Sequence, residues 1–365
     1  MDVEEIKFLN AFNAIPNVGA VTLRALQDHF GSFADAWRAG ASACERFGVD
    51  APARDAIAAH QKIVDPDRAM QKLARGNIWI ITEDDPAFPP LLKEISYPPI
   101  MLYGRGDKNI LASNPHHAIA VVGTRRPTPY GLEAAEHLVE KLVGAGITIV
   151  SGLATGIDAK AHAVTLAHKG ITIAVLGCGV DQDTIFPPEN RGLAQKIAES
   201  GGAVISEYAP ETPAVKEHFP MRNRIIAGLA QGTLVVEARE KSGALITSRM
   251  ALEENRDVFA VPGSIFSPTS VGPNRLIQQG AKAVTDGADI LEELGIDGLS
   301  AMRHHAALAL TGEETSVLNL LEEPASIDAL RQKTGFATGT LLSMLSVLEL
   351  KGIIRSSDGD NYQKI

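Results

Sequence analysis

Ala118-Ile119-Ala120-Val121-Val122-Gly123-Thr124-Arg125-Arg126 is an apolar run that breaks off at a glycine, a hydroxyl and two cations. Five apolar residues with no polar alternation fit a strand buried on both faces, as in a parallel sheet. Similar runs stand at Ile78–Ile81, Ile147–Val150, Ile171–Leu176, Ala203–Ile205, Thr233–Val236 and Val258–Val261. Helical stripes lie between them, among them Leu132, Ala135, Leu138, Val139, Leu142 and Val143. Repeated strand–helix–strand order predicts an α/β fold over residues 76–295, with a Rossmann-like, doubly wound, mostly parallel sheet. Such sheets hold ligands beyond the carboxyl ends of their strands, so the chemistry is expected at the strand-to-helix junctions.

Four junctions suit an anion. At Gly123-Thr124-Arg125 the glycine lets backbone approach closely, hydroxyl and N–H groups donate, and Arg125 grips a phosphate. The alternative there is a tight turn with a surface arginine. Ser151-Gly152-Leu153-Ala154-Thr155-Gly156-Ile157-Asp158 offers a nest of N–H donors. Asp158 and His162 lie one turn apart but have no nucleophile with them, which favours a structural role for both. Lys216-Glu217-His218-Phe219-Pro220-Met221-Arg222-Asn223-Arg224 combines three cations, an amide and an aromatic ring. Phe219 there can stack on a base; alternatively it plugs the core while the arginines pair with Glu207, Glu211 or Glu237. Lys241-Ser242-Gly243, after Glu237, adds a cation and further donors. Arg125, Arg126, Lys216, Arg222, Arg224 and Lys241 together suit a strand of several phosphates better than a single nucleotide.

That concentration matters because the chain carries a formal net charge of −10 over 365 residues. Bulk electrostatic coating of nucleic acid is excluded, and any such site must be a local cationic patch. The dinucleotide fingerprint G-x-G-x-x-G is missing after Val122, and the P-loop order is missing near Lys241, so no cofactor is expected. Two distant cysteines, Cys44 and Cys178, give neither a disulfide framework nor a zinc spacing, and fit a reducing compartment. No apolar run is long enough for a membrane span, and the acidic N-terminus lacks an export pattern. A cytoplasmic protein is expected.

Residues 1–75 read as a small helical domain of SAM or helix-hairpin-helix type: Ile15-Pro16-Asn17-Val18-Gly19 precedes Leu23, Leu26, Phe30, Phe33 and Trp37, with a turn at Gly31. Arg24 is the cation near the first turn, which favours a plain bundle over a DNA-contacting one. Residues 296–310 read as a linker. Residues 311–365 show three helices and a hairpin, the winged-helix order. That unit carries five Lys/Arg against eight Asp/Glu, and Thr338–Leu350 contains no cation. A helix reading a DNA groove presents Arg, Lys, Asn or Gln, so this unit is expected to contact protein or to dimerise.

In order, the strings VVGTRRPTPYG, SGLATGIDAKAH, AVLGCGVD, FPPEN, HFPMRNRIIAGL and VVEAREKSGALIT closely resemble the DNA-processing protein A (DprA/Smf) family, from about residue 80 to 293. The resemblance implies a non-enzymatic mediator of natural transformation and recombination. It would bind and protect incoming single-stranded DNA, load the RecA recombinase, and act as a homodimer. Carried over by motif, Gly123, Thr124 and Arg125 bind phosphate, with Thr124 standing where many members have serine. Lys216 and Phe219 contact backbone and base. Arg222, Asn223 and Arg224 complete the pocket, with Ser151, Gly152, Ser242 and Gly243 as backbone donors and Lys241 closing it. The rival expectation is a nucleotide-processing enzyme of N-glycosidase type on a Rossmann-like fold, whose P-G-G-x-G-T-x-x-E string does not occur here.

Overall fold

The computed structural model describes residues 1–44, 49–113, 117–296, 312–321, 325–350, 354–357 and 361–364. Nine strands form one sheet: β1 (Trp79–Thr82), β2 (Met101–Gly106), β3 (Ala118–Val122), β4 (Thr148–Ser151), β5 (Thr172–Val175), β6 (Ala203–Ser206), β7 (Gly232–Val235), β8 (Asp257–Ala260) and β9 (Lys282–Ala283). Their order is β1-β2-β6-β5-β4-β3-β7-β8-β9. The pairs from β6 through β9 run parallel, while β1 and β2 add an antiparallel margin. Two strands, β2 and β9, go beyond those legible as apolar runs.

Strand β3 shows why its apolar run has no polar alternation. Ala118, Ala120 and Val122 pack into one core with Ile225 and Ile226 of the helix His218–Gly228 and Ala244 and Ala251 of the helix Gly243–Glu253. Ile119 and Val121 pack oppositely, against Leu138 and Leu142 of the helix Pro129–Gly144 and Ala161 and Val164 of the helix Ile157–Ala167. Both faces are covered, so each position needs an apolar side chain.

The first 75 residues form helices Val3–Asn13, Ala20–Phe30, Phe33–Ala39, Ala41–Cys44, Ala51–His60 and Pro66–Arg75. Gly31 ends the second helix in the left-handed conformation (φ 68°), as its place between apolar stripes predicts. The bundle does not keep a private core. Leu9, Phe12, Leu23 and Ile57 share one cluster with Met101, Tyr103 and Leu153 of the sheet domain. The Tyr103 hydroxyl donates to Asn10 Oδ1 at 2.8 Å, and Asn13 donates to the Glu207 carbonyl at 3.0 Å. Arg24 is held by Glu83 at 2.9 Å, so the turn at Pro16–Gly19 has no free arginine to offer a phosphate.

The C-terminal unit builds helices Gly312–Asn319, Ile327–Thr334 and Thr338–Leu350 around Val317, Leu321, Leu330, Leu341, Leu345 and Leu348. Strands β10 (Ala325–Ser326), β11 (Ile354–Ser357) and β12 (Asn361–Lys364) pair in the order β10-β12-β11, giving a winged helix. The linker expected at 296–310 and the hairpin turn at 358–360 fall outside the described residues, apart from Ile296.

Candidate functional site

Strands β3, β4, β5 and β7 lie side by side and parallel, so their carboxyl ends open on the same edge of the sheet. The loops that leave them are tied together. The Thr124 N–H donates to the Glu237 carbonyl at 2.7 Å, and the Ile157 N–H donates to the Thr124 carbonyl at 3.2 Å. Gly156 adopts φ +85°, and a Cβ there would lie 2.3 Å from the Thr124 carbonyl, so the second loop passes flush against the first only with glycine.

The helix His218–Gly228 brings Phe219 and Arg222 to this edge. The Arg125 guanidinium lies 5.5 Å from the Phe219 ring centroid and that of Arg222 lies 6.0 Å from it, both within cation–π range. Arg125, Gly152, Thr155, Phe219 and Arg222 line a cavity of about 250 Å³ together with the segment Phe186–Glu189. Phe219 is half-buried and belongs to none of the packed cores, so it does not plug the interior. Arg125 is exposed, and no carboxylate among the described residues lies in ion-pair range of it, nor of Arg126, Lys216 or Lys241.

Arg222, expected to help complete the pocket, lines the cavity from below rather than standing free. It is buried and donates to the Gly152 carbonyl at 2.9 Å and to the Val175 carbonyl, bridging the ends of β4 and β5. Burial pushes its guanidinium down to about 10, which leaves it a cation at neutral pH. Asp158 faces it; burial pushes that carboxyl up, and Arg222 opposes the shift. His162 donates from Nδ1 to Thr172 Oγ1 at 2.6 Å, because that hydroxyl spends its own proton on the Ile149 carbonyl. Burial pushes His162 down to about 3, so it stays neutral. The structural reading of Asp158 and His162 agrees with this geometry.

Arg224 does not join the free cations. Glu207 takes its guanidinium in a bidentate pair at 2.6 and 2.9 Å, with both side chains mostly shielded. This is the carboxylate pairing weighed as the alternative above. Several expected donors are also spent, since buried backbone groups must find partners. The Thr124 N–H goes to Glu237, the Gly152 N–H to Asp158 Oδ2 at 3.2 Å, and the Ser151 hydroxyl to the Val121 carbonyl at 2.6 Å. Asn223 Nδ2 donates to the Gly243 carbonyl at 3.5 Å, while the Ser242 hydroxyl accepts from the Ala244 N–H at 3.4 Å and keeps its own proton to donate. Lys216 is exposed and is not among the residues lining the cavity.

Sequence reasoning weighed Glu237 only as a partner for the arginines and met Phe186 only within the string FPPEN. Glu237, only 1 % exposed, accepts from the Thr128 N–H at 2.8 Å, the Thr128 hydroxyl at 2.7 Å and the Thr269 hydroxyl at 2.6 Å. It thereby fixes the far end of the turn that carries Arg125. Phe186 faces the cavity from the loop after β5, its ring centroid 5.9 Å from that of Phe219; an aromatic ahead of Pro187-Pro188 was its only signal. A second groove, about 1820 Å³, runs between the helical bundle and the sheet. Its Arg24, Lys72 and Arg224 are bound to Glu83, Glu211 and Glu207, and Arg68 shares the lining with Asp28, Asp65, Glu253 and Glu254, which leaves the groove poorly suited to a polyanion.

Residues 79–295 match the family described as DNA recombination-mediator protein A, and residues 303–360 match the DprA winged helix domain. The chain is 49 % identical over 207 residues to DNA processing protein DprA of Bacillus subtilis, covering 57 % of this chain and 68 % of that one. It is 34 % identical to the protein Smf of Synechocystis across 97 % of each chain. Among solved structures it resembles DprA of Streptococcus pneumoniae, with 33 % identity and TM-score 0.65 over 80 % of this chain and 98 % of that one. It also resembles DNA processing protein A of Helicobacter pylori, solved for its single-stranded DNA binding mode, with 29 % identity and TM-score 0.52 over 59 % of this chain and 95 % of that one. A Rossmann-like sheet spanned by the family model, that family's winged helix after it, and a relative matched over nearly the whole length place this chain in the DNA-processing protein A (DprA/Smf) family.

Proposed function

We propose that this protein binds single-stranded DNA at the carboxyl edge of its sheet and acts as a recombination mediator rather than an enzyme. The observation that carries the reading is Arg125: an exposed guanidinium without a carboxylate partner, poised over Phe219 at the mouth of a cavity. In this reading Gly123, Thr124 and Arg125 receive a phosphate. Lys216 and Lys241 steer the strand, Phe219 touches a base, and Arg222 supplies a buried positive charge beneath the cavity. Asn223, Ser151, Gly152, Ser242 and Gly243 shape the walls, and Arg224 contributes through its pair with Glu207.

The same reading extends to finer points: protection of incoming DNA during natural transformation, loading of RecA, a homodimer, and a cytoplasmic location. Family membership supports them, and among the described residues no helix is long and apolar enough to cross a membrane. It also divides the chain into a helical unit over 1–75, the DNA-binding unit over 76–295, a linker to 310 and the winged helix. Arg125→Ala tests the core of the proposal. Its affinity for oligo-dT should fall, and the slope of log affinity against log salt should flatten by about 0.7, one single-strand phosphate contact. Unchanged affinity and slope would refute the phosphate role.

A further inference from the structure

We infer that Phe186 supplies a second aromatic face on which a nucleobase stacks, beside Phe219, whose ring also holds Arg125. The inference rests on the single-stranded DNA reading and adds to it a residue.

The case begins with how the Phe219 ring is occupied. Two guanidinium groups stand against it, Arg125 at 5.5 Å and Arg222 at 6.0 Å. A base stacking on Phe219 therefore competes with the cations that the phosphate path requires. Phe186 has no cation within this range among the described residues; it is 42 % exposed and lines the same cavity. A lone exposed phenyl is ordinary. One that shares a cavity wall with an unpaired arginine is not.

Its loop is also built to hold still. Ile185 beside it is buried, and Pro187 and Pro188 restrict the backbone that follows. Asn190 Nδ2 donates to the Leu153 carbonyl at 2.8 Å, which ties the loop to the one leaving β4. Arg191 Nε donates to the Ile185 carbonyl at 3.2 Å, and its guanidinium also reaches the Asp183 carbonyl. A ring fixed before the ligand arrives loses little entropy on binding.

The two rings are 5.9 Å apart and inclined at 52°. A base sandwiched between parallel rings needs about 6.8 Å, twice the ~3.4 Å stacking rise. The rings stand too close to sandwich a base, so a base stacking on Phe186 lies beside Phe219 and not between the two. A cavity of about 250 Å³ falls below the ~300–1,000 Å³ typical of drug-sized sites, and suits one base. Stacking reads no base edge, so the site is sequence-tolerant.

The test compares short oligo-dT with an abasic deoxyribose-phosphate strand of equal length, using the full chain. Phe186→Ala should weaken oligo-dT binding about tenfold and leave abasic binding and the salt slope unchanged. Phe186→Leu, which keeps apolar bulk but lacks a π face, should lose affinity likewise, whereas Phe186→Trp should retain it. If Phe186→Ala does not fold, the Leu variant carries the comparison. Variants that bind oligo-dT like the wild type, or that lose equally on the abasic strand, overturn the inference while sparing the DNA reading. A wild-type protein that binds neither strand overturns both.

Discussion

Replacing Gly131 by alanine should destabilise this protein, although the same change in a helix ordinarily adds about 1 kcal/mol. Gly131 sits in the first turn of the helix Pro129–Gly144, where its N–H donates to the Thr128 hydroxyl at 3.2 Å. A Cβ there would lie 2.1 Å from Glu237 Oε2, 2.5 Å from its Cδ and 2.9 Å from its Cγ. A flexible surface glutamate would swing aside cheaply, but Glu237 is buried and pinned by three donors. Moving it breaks at least one or two hydrogen bonds to a charged group, each worth about 1.5–3 kcal/mol. Set against the propensity gain, the net loss is about 2 kcal/mol, or roughly 4–8 °C in Tm for a unit of this size. Thermal unfolding followed by circular dichroism reads this directly. A variant as stable as the wild type, or more so, would show that Glu237 does not lock the turn below Arg125.

Three further outcomes follow from the geometry. Arg224→Ala should leave the salt slope of DNA binding unchanged and act through stability, because Glu207 already neutralises Arg224; a slope change matching that of Arg125→Ala would contradict this. Buried His162 stays neutral down to about pH 3 in the folded chain, while the unfolded chain takes up a proton near 6.5. Its stabilisation is therefore complete above about pH 6.5 and erodes as pH falls. The erosion reaches about 2 kcal/mol by pH 5, and denaturant titrations should show that His162→Gln removes this part of the acid sensitivity. Ending the chain near residue 300 should leave most oligo-dT affinity in place, given the acidic balance of the winged unit and its leucine-rich third helix without a cation; complete loss in a gel shift would assign DNA contact to that unit.

The parallel sheet was legible because burial on both faces demands uninterrupted apolar runs, and β3 meets that demand at every position. Strand β2 was not, since Met101-Leu102-Tyr103-Gly104-Arg105-Gly106 mixes glycine and arginine into a strand. The reason is tertiary: the Trp79 indole occupies the space a Cβ on residue 104 would fill, at 2.1 Å. Within the site, the residue types at each strand end pointed to Arg125 and Phe219 because a junction's chemistry is local. What no local reading supplies is which donors are already spent. The pair Arg224–Glu207 and the bond from Gly152 to Asp158 depend on how separate loops fold back on one another. Glu237 was weighed as an arginine partner and its actual role missed for the same reason, since its partners Thr128 and Thr269 lie 109 and 32 residues away.

The central claim is a cationic edge that grips unpaired DNA, and competition between strands tests it most directly. Wild-type protein bound to labelled oligo-dT should be displaced by unlabelled single strand but poorly by duplex of equal length, with affinity dropping between low and moderate salt. Equal displacement by duplex, or binding indifferent to salt, would contradict the account.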